Sequence, residues 1–346
     1  MQDFTIKSDY NMLEKITKPI DFVITWVDGS DKNWLAEKKT YQPTIDVDDS
    51  SARYRDFGTL KYLLRSIDKF APWVRNIFLV TNGQVPNWLD KSNNKLKIVK
   101  HTEFMPSEYL PTFSSHPIEW NLHKIDGLSE NFVYFNDDMI LVAPVLPEDF
   151  FKQDLPCDTF GLGLVRPVEF FSHIPFNHMM VINKHFNLKK TLKSHKEKMF
   201  CLKYGKRLIK TCLLANLNVF YGMYDHHVAI SFKKSAFNLL WEKEYNLIHS
   251  TCKNKFRSKD DVSIWLVRYW QLLTGEFVPR SEQFGKFYVI HDFIHAENVK
   301  NKLKKSKAKI ICFNDNENSS LDFEEERKKF TDIMDSILGD KCQYEL

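Results

Sequence analysis

Four short runs of β-branched and aromatic residues, each closed by a polar turn, set the strongest limit on how this 346-residue chain can fold. They lie in IDFVITWVDGSD (20–31), NIFLVTNG (76–83), LKIVKH (96–101) and FVYFNDDMILV (132–142). Runs this short suit strands buried on both faces of a sheet. The fourth reads as one strand, or as a strand pair interrupted by Asp137 and Asp138. Between the first two, GTLKYLLRSIDKFAPW (58–73) carries Leu60, Leu63, Leu64, Ile67 and Phe70 at helical spacing, with Pro72 as its stop. IEWNLHKIDGL (118–128) predicts another helix, stopped by Gly127. Strands and helices in this alternation predict an α/β fold, a mainly parallel twisted sheet flanked by helices. Ligands of such sheets sit beyond the carboxyl ends of the strands. VDGSD and NDDM both fall at strand ends, so two acidic clusters are expected on one sheet edge.

The remaining segments are less regular. KNWLAEKKTYQPTIDVDDSSARYRD (32–56) reads as partly loop, and DTFGLGLVRPVEFF (158–171) as a strand region. Residues 177–217 look helical and basic. DDVSIWLVRYWQLLTG (260–275) predicts a strong helix with Asp260 or Asp261 in its first turn and Gly275 past its end. KLKKSKAKIICFNDNENSS (302–320) predicts a basic segment, a short strand and a polar loop, and 320–338 a terminal amphipathic helix. The expected organisation is an N-terminal extension (1–19), a main domain (20–318) and a C-terminal helix (319–346). Within the main domain, an α/β half (20–155) precedes a helical half (156–318).

Composition removes several function classes. A formal net charge of +4 does not suggest a nucleic-acid binder. The six cysteines form no CxxC pair, so a structural zinc site is disfavoured and reduced thiols in a cytosolic protein are expected. The N-terminus lacks the apolar core of a signal peptide, and the apolar runs are far shorter than the roughly 20 residues that span a bilayer. There is no Walker A motif, no GxGxxG and no GxSxG, which disfavours classical dinucleotide enzymes and serine hydrolases.

The chemistry-bearing candidates are few. Asp137 and Asp138 either end a strand as a solvated turn or bind a divalent cation that offsets their mutual repulsion. Asp28 and Asp31 either make Asx-type turns or contact a nucleotide or metal. Glu119 caps a helix or reaches the same cleft. His226 and His227 follow Asp225, a carboxylate that raises imidazole basicity. Arg257 is either an anion clamp or a surface partner of Asp260 or Asp261.

Together these segments resemble the Stealth family of sugar-1-phosphate transferases, over roughly residues 20–318. The likeness is most specific in IDFVITWVDGSD, in RYRDFGTLKYLLRSIDKFAPWVRNIFLVTNGQVPNWL and in LPTFSSHPIEWNLHKIDGLSENFVYFNDDM. It is looser in YDHHVAISFKKSAF, KFRSKDDV and KIICFNDN. The resemblance implies a nucleotide-sugar transferase-like fold in which an acceptor hydroxyl attacks the β-phosphorus of a UDP-sugar and UMP leaves. It implies catalytic roles for Glu119, Asp138, His227 and Arg257, with Mg²⁺ (or Mn²⁺) near Asp137 and Asp138. It implies substrate contacts from Trp26, Asp28, Gly29, Asp31, Arg55, Arg65, Asn136 and His226. Ala229 stands where the family commonly has a proline, which leaves His226 as an alternative register for His227. The implied partners are a UDP-sugar and a saccharide or lipid-linked oligosaccharide acceptor, with no nucleic acid. The implied setting is the cytoplasm, with room for peripheral contact at the inner face of the membrane. A glycosyltransferase releasing UDP, or a carbohydrate-binding protein without catalysis, are the competing readings.

Overall fold

A computed structural model describes residues 16–42, 55–168, 172–296, 299, 303, 306–315 and 323–346. Most of the expected N-terminal extension, much of the polar stretch after Tyr41 and the polar loop from 316 lie outside the described residues.

In chain order the strands are β1 (Ile20–Thr25), β2 (Ile77–Thr81), β3 (Leu96–Lys100), β4 (Asn131–Asn136), β5 (Met139–Leu141), β6 (Phe151–Lys152), β7 (Leu155–Asp158), β8 (Ile230–Lys233), β9 (Val278–Pro279), β10 (Gly285–Val289) and β11 (Ile310–Asn314). The helices that matter for the site are α1 (Lys32–Tyr41), α2 (Thr59–Phe70), α3 (Ser115–Asn121), α4 (His173–His185), α5 (Lys206–Leu214), α6 (Trp265–Leu273) and α7 (Phe323–Leu338).

The central sheet runs β3-β2-β1-β4-β8, parallel except for β8, which pairs antiparallel with β4. Ile24 sits between Leu79 and Phe135 in the ladder. The strands are apolar along their length because both faces are covered. Strand alternation deals their side chains to two cores. Phe22, Ile24, Leu79 and Phe135 pack with Leu60, Leu63 and Leu64 of α2 and with Phe330 and Met334 of α7. Val23, Val80, Phe132 and Tyr134 pack against residues of the second half, including Phe237 and Trp270.

FVYFNDDMILV is a strand pair, and the two strands belong to different sheets. After β4 the chain turns at Asp137–Asp138, and β5 joins a second sheet in the order β10-β11-β5. Ile140 pairs antiparallel with Ile311 there. The two carboxylates therefore stand at the junction of two sheets.

One segment read as partly loop gains a helix, and two helix starts change. Residues 32–41 form helix α1, with Asp31 as N-cap accepting from the Trp34 amide (2.8 Å). The helix expected from 118 begins at Ser115, because Ser114 caps it and Pro117 is tolerated in a first turn. The helix expected over 260–275 begins only at Trp265, so Asp260 and Asp261 precede it. Asp261 is drawn elsewhere, accepting from the Ser258 amide (2.9 Å) and the Asn254 side chain (2.7 Å) and facing His116 (3.2 Å). Gly275 does close that helix, at φ +75°, where a Cβ would lie 2.3 Å from His195.

Candidate active site

The carboxyl edge of the central sheet opens into a cleft of about 1590 Å³. Trp26, Arg55, Glu119, Asn136, Asp137, Asp138, His226, His227 and Arg257 all line it. Residues separated by up to 231 positions in sequence are thus gathered in one hollow.

One wall is acidic and is set by the sheet. Asn136 ends β4, and its successors Asp137 and Asp138 line the cleft beside it. Burial, Asp138 and Asp56 push the Asp137 carboxyl well above the usual range, against a long hydrogen bond from the Thr59 hydroxyl (3.5 Å). Burial also raises Asp138, while His227 and the Cys312 thiol, which donates to Oδ2 (3.5 Å), pull it down. The Asp138 carbonyl is pinned by the Phe313 amide (2.9 Å), so β11 fixes the turn. Asp138 Oδ1 is buried with no hydrogen-bond partner. Asp56 is a third acid at this wall that sequence reasoning did not single out. Burial raises it too, although it accepts from the Gly58 amide (2.6 Å). Gly58 is the N-cap of α2, so the positive end of that helix faces the acids and offsets part of their charge. The only sequence signal for Asp56 is an acid two residues before that cap.

The other wall comes from the second half. The ring of His227 stacks on Trp265 (5.8 Å between centroids, 18°) and meets Phe287 edge-on. Its Nδ1 lies 3.7 Å from Asp225. Burial lowers the imidazole, but Asp225, Asp138 and Glu119 outweigh it and the net shift is upward. His226 is the opposite case. It is buried and stacks on Tyr224, and its Nε2 reaches toward the Gly285 carbonyl (3.5 Å). Burial, with Arg280 and Arg268 nearby, depresses it to about 4. Of the two registers, His227 presents the titrating ring to the acids.

The segment carrying both histidines is held by Arg268, buried in α6. Arg268 pairs bidentately with Asp158 (2.7 and 3.0 Å) and donates to the carbonyls of Tyr224 (2.8 Å) and Thr159 (2.9 Å). No local pattern in the sequence marks this pair, since 110 positions separate its members.

Glu119 enters from α3 and accepts from the Tyr134 hydroxyl (3.2 Å), which also bonds Thr25 (3.0 Å). Arg257 donates to Ser115 at the start of the same helix (3.2 Å). Arg55 lines the cleft with its guanidinium on Asp315 (2.7 and 2.9 Å).

Four expected substrate contacts are not among the lining residues. Asp28 makes an Asx turn, accepting from the Ser30 amide (2.9 Å), with Gly29 inside that turn, and Asp31 caps α1. Arg65 points the other way and is buried. Glu345 takes its Nε and Nη2 (2.7 and 2.9 Å), and the Leu338 carbonyl takes Nη1 (2.8 Å). A cation at the carboxyl end of α7 complements the helix dipole, which accounts for its position.

Asp137, Asp138 and Asp56 supply only oxygen donors, and Asp138 has an unsatisfied buried one. This set suits a hard divalent cation. His291, His295 and Glu326 form another group of possible metal donors, within 4.8 Å of one another, and none of them lines the cleft. All six cysteines are free thiols. Among the described residues, no helix is long and apolar enough to cross a membrane.

Residues 18–46 match the model of Stealth protein CR1, conserved region 1, and residues 53–157 that of Stealth protein CR2, conserved region 2. The chain is 41% identical over 336 residues to the capsular polysaccharide phosphotransferase WcwK of Streptococcus pneumoniae, spanning 96% of this chain and 99% of the relative. It is 40% identical over 327 residues to the exopolysaccharide phosphotransferase cps2G of Lactiplantibacillus plantarum, spanning 94% and 96%. Among solved structures it is similar to the galactosyltransferase LgtC in complex with donor and acceptor sugar analogs. There the identity is 9%, the coverage 92% and 96%, and the TM-score 0.39, a likeness too slight to argue from.

Proposed function

Because this chain belongs to the Stealth family, we propose that it transfers a sugar-1-phosphate from a UDP-sugar to a hydroxyl of an acceptor saccharide in capsular or cell-surface polysaccharide synthesis. The observation that carries this reading is the convergence of Glu119, Asp137, Asp138, His227 and Arg257 on one cleft. Phosphoryl transfer needs alignment, charge neutralisation and a proton acceptor, and little else from the protein.

His227 is the base. Asp225 faces its Nδ1, which leaves Nε2 to take the proton of the attacking hydroxyl. The acceptor oxygen bonds to the β-phosphorus, the bond to the α–β bridging oxygen breaks, and UMP departs. Arg257, steadied by Ser115, clamps the diphosphate. Glu119 orients the acceptor, held in turn by Tyr134. Asp137 and Asp138, with Asp56, would hold Mg²⁺ or Mn²⁺, which when bound neutralises diphosphate charge. Trp26 and Asn136 shape the donor pocket in the α/β half, and the helical half completes the acceptor side. The reaction belongs in the cytoplasm, where nucleotide sugars are made.

Phosphorus NMR of the enzyme with a UDP-sugar panel, Mg²⁺ and acceptor saccharides tests this. A new phosphodiester resonance with equimolar UMP is expected. UDP instead of UMP makes the protein a glycosyltransferase. Sugar binding without nucleotide turnover, unchanged in Asp138→Asn, makes it a carbohydrate-binding protein.

A further inference from the structure

Residues 186–221 carry nine Lys or Arg against one acid, Glu197. The chain as a whole has an excess of only +4, so the remainder is net acidic and the positive charge is concentrated here. The same segment holds three large apolar side chains that stand well out into solvent. Leu202 is 87% exposed, Ile209 65% and Leu213 71%. Isolated exposed aliphatic side chains are ordinary, but three interleaved with cations within one short stretch of chain are not.

On α5 two of these side chains share a face with two lysines. At 100° per residue, Lys206, Ile209, Lys210 and Leu213 fall within one arc of the helix. The opposite side is anchored, with Thr211 fully buried and its hydroxyl accepting from the Leu162 amide (3.2 Å). Leu208 and Leu214 pack against the core. Leu202 and Lys203 precede the helix in an exposed 3-10 turn.

We propose that this face, Leu202, Ile209 and Leu213 with Lys203, Lys206 and Lys210, beds into an anionic lipid surface. Exposed aliphatic groups gain by entering the acyl boundary, and lysines beside them gain from anionic headgroups. A soluble polyanion would reward the lysines but give the three aliphatic side chains no reason to stand in water. The placement also suits the cleft. The stretch Leu162–Val165, bonded to α5 through Thr211, pairs with Tyr221–Met223 and carries Leu164 and Val165 into the cleft lining. The proposed lipid face and the acceptor side of the cleft therefore share one short ladder. This orients the mouth toward an acceptor carried on a lipid, a clause that rests on the reading above.

Vesicle co-sedimentation of the full chain tests the proposal without any transfer chemistry, so an inactive enzyme and a vesicle-blind enzyme are distinct results. The probes are phosphatidylcholine vesicles with and without phosphatidylglycerol. The wild-type chain should bind the anionic vesicles at least about tenfold better than the neutral ones. Leu202→Ser with Ile209→Ser and Leu213→Ser should lose about tenfold of that binding. Its circular dichroism and its turnover of a water-soluble acceptor should stay at wild-type levels. Lys203→Glu with Lys206→Glu and Lys210→Glu should lose binding as well. Equal binding to both vesicle types, or none, overturns the proposal. So does a serine variant that binds like wild type while the glutamate variant does not, which would make the patch a site for soluble polyanions.

Discussion

The two walls of the cleft are built on different principles. The acidic wall is a turn between strands of two sheets, positioned by ladder hydrogen bonds and by the Phe313 amide on the Asp138 carbonyl (2.9 Å). The basic wall is a loop with little regular structure, tied down by a short ladder that ends with the Tyr224 amide on the Gly161 carbonyl (2.7 Å) and by a buried ion pair, Arg268 with Asp158. Backbone ladders hold the first whatever its side chains are, whereas the second adds two particular side chains to a shorter set of backbone bonds. The carboxylates can therefore be exchanged without loss of the fold, but the support of the histidines cannot.

The largest effect should come from breaking that support. Arg268→Ala leaves Asp158 buried and unpaired, and should cost about 3–5 kcal/mol of stability in urea denaturation. Adding Asp158→Asn should recover a large part of it. If Arg268→Ala unfolds at the wild-type midpoint, the second wall is not held in this way.

Next is Asp138→Asn, which should retain wild-type stability while losing about a thousandfold in turnover, on the order of 4 kcal/mol of transition-state stabilisation. A similar loss accompanied by unfolding would erase the contrast between the walls. His227→Ala should lose about a hundredfold in turnover. The same change at His226 should act mainly on stability, since that ring is buried against Tyr224. Equal kinetic losses at the two positions would mean that the register assignment is wrong.

The smallest effect sharpens the comparison away from the cleft. His123 is buried and stacks on Phe237, and burial, then Lys124 and Lys234, hold it at about 3. Its unfolded form titrates near 6.5. As pH falls below 6.5 the unfolded chain takes up a proton that the folded chain refuses, so stability declines until pH reaches about 3. By pH 5 this amounts to at most about 2 kcal/mol. Denaturation midpoints of His123→Phe and wild type should converge as pH drops from 7.5 to 5, if the phenylalanine variant is the less stable at 7.5. If it is the more stable, its lead should widen. Parallel curves would rule out the neutral buried imidazole.

The contrast also explains what could be read from the residues alone. Strands β1 to β4, the α2 helix and the acidic turn at Asp137–Asp138 were legible because each is encoded in a contiguous run, whereas β8 and β10 were not singled out. The position of Asp261 was misread because its role depends on His116 and Asn254, not on a helix start. Arg65 was misread for a similar reason, since its partner Glu345 lies at the far end of the chain. Asp56 was missed because an acid before a helix cap has an ordinary local explanation. Arg268 was missed because a cation inside an apolar helix acquires meaning only when the buried Asp158 is placed beside it.

The central claim is that both walls serve one reaction, and a double-mutant cycle on turnover tests it most directly. Asp138→Asn and His227→Ala are measured singly and together with the same UDP-sugar and acceptor. If the two side chains act as a unit, the double variant should be about as slow as the slower single variant. If the two losses multiply, the carboxylate and the imidazole act independently and the shared-site account is wrong.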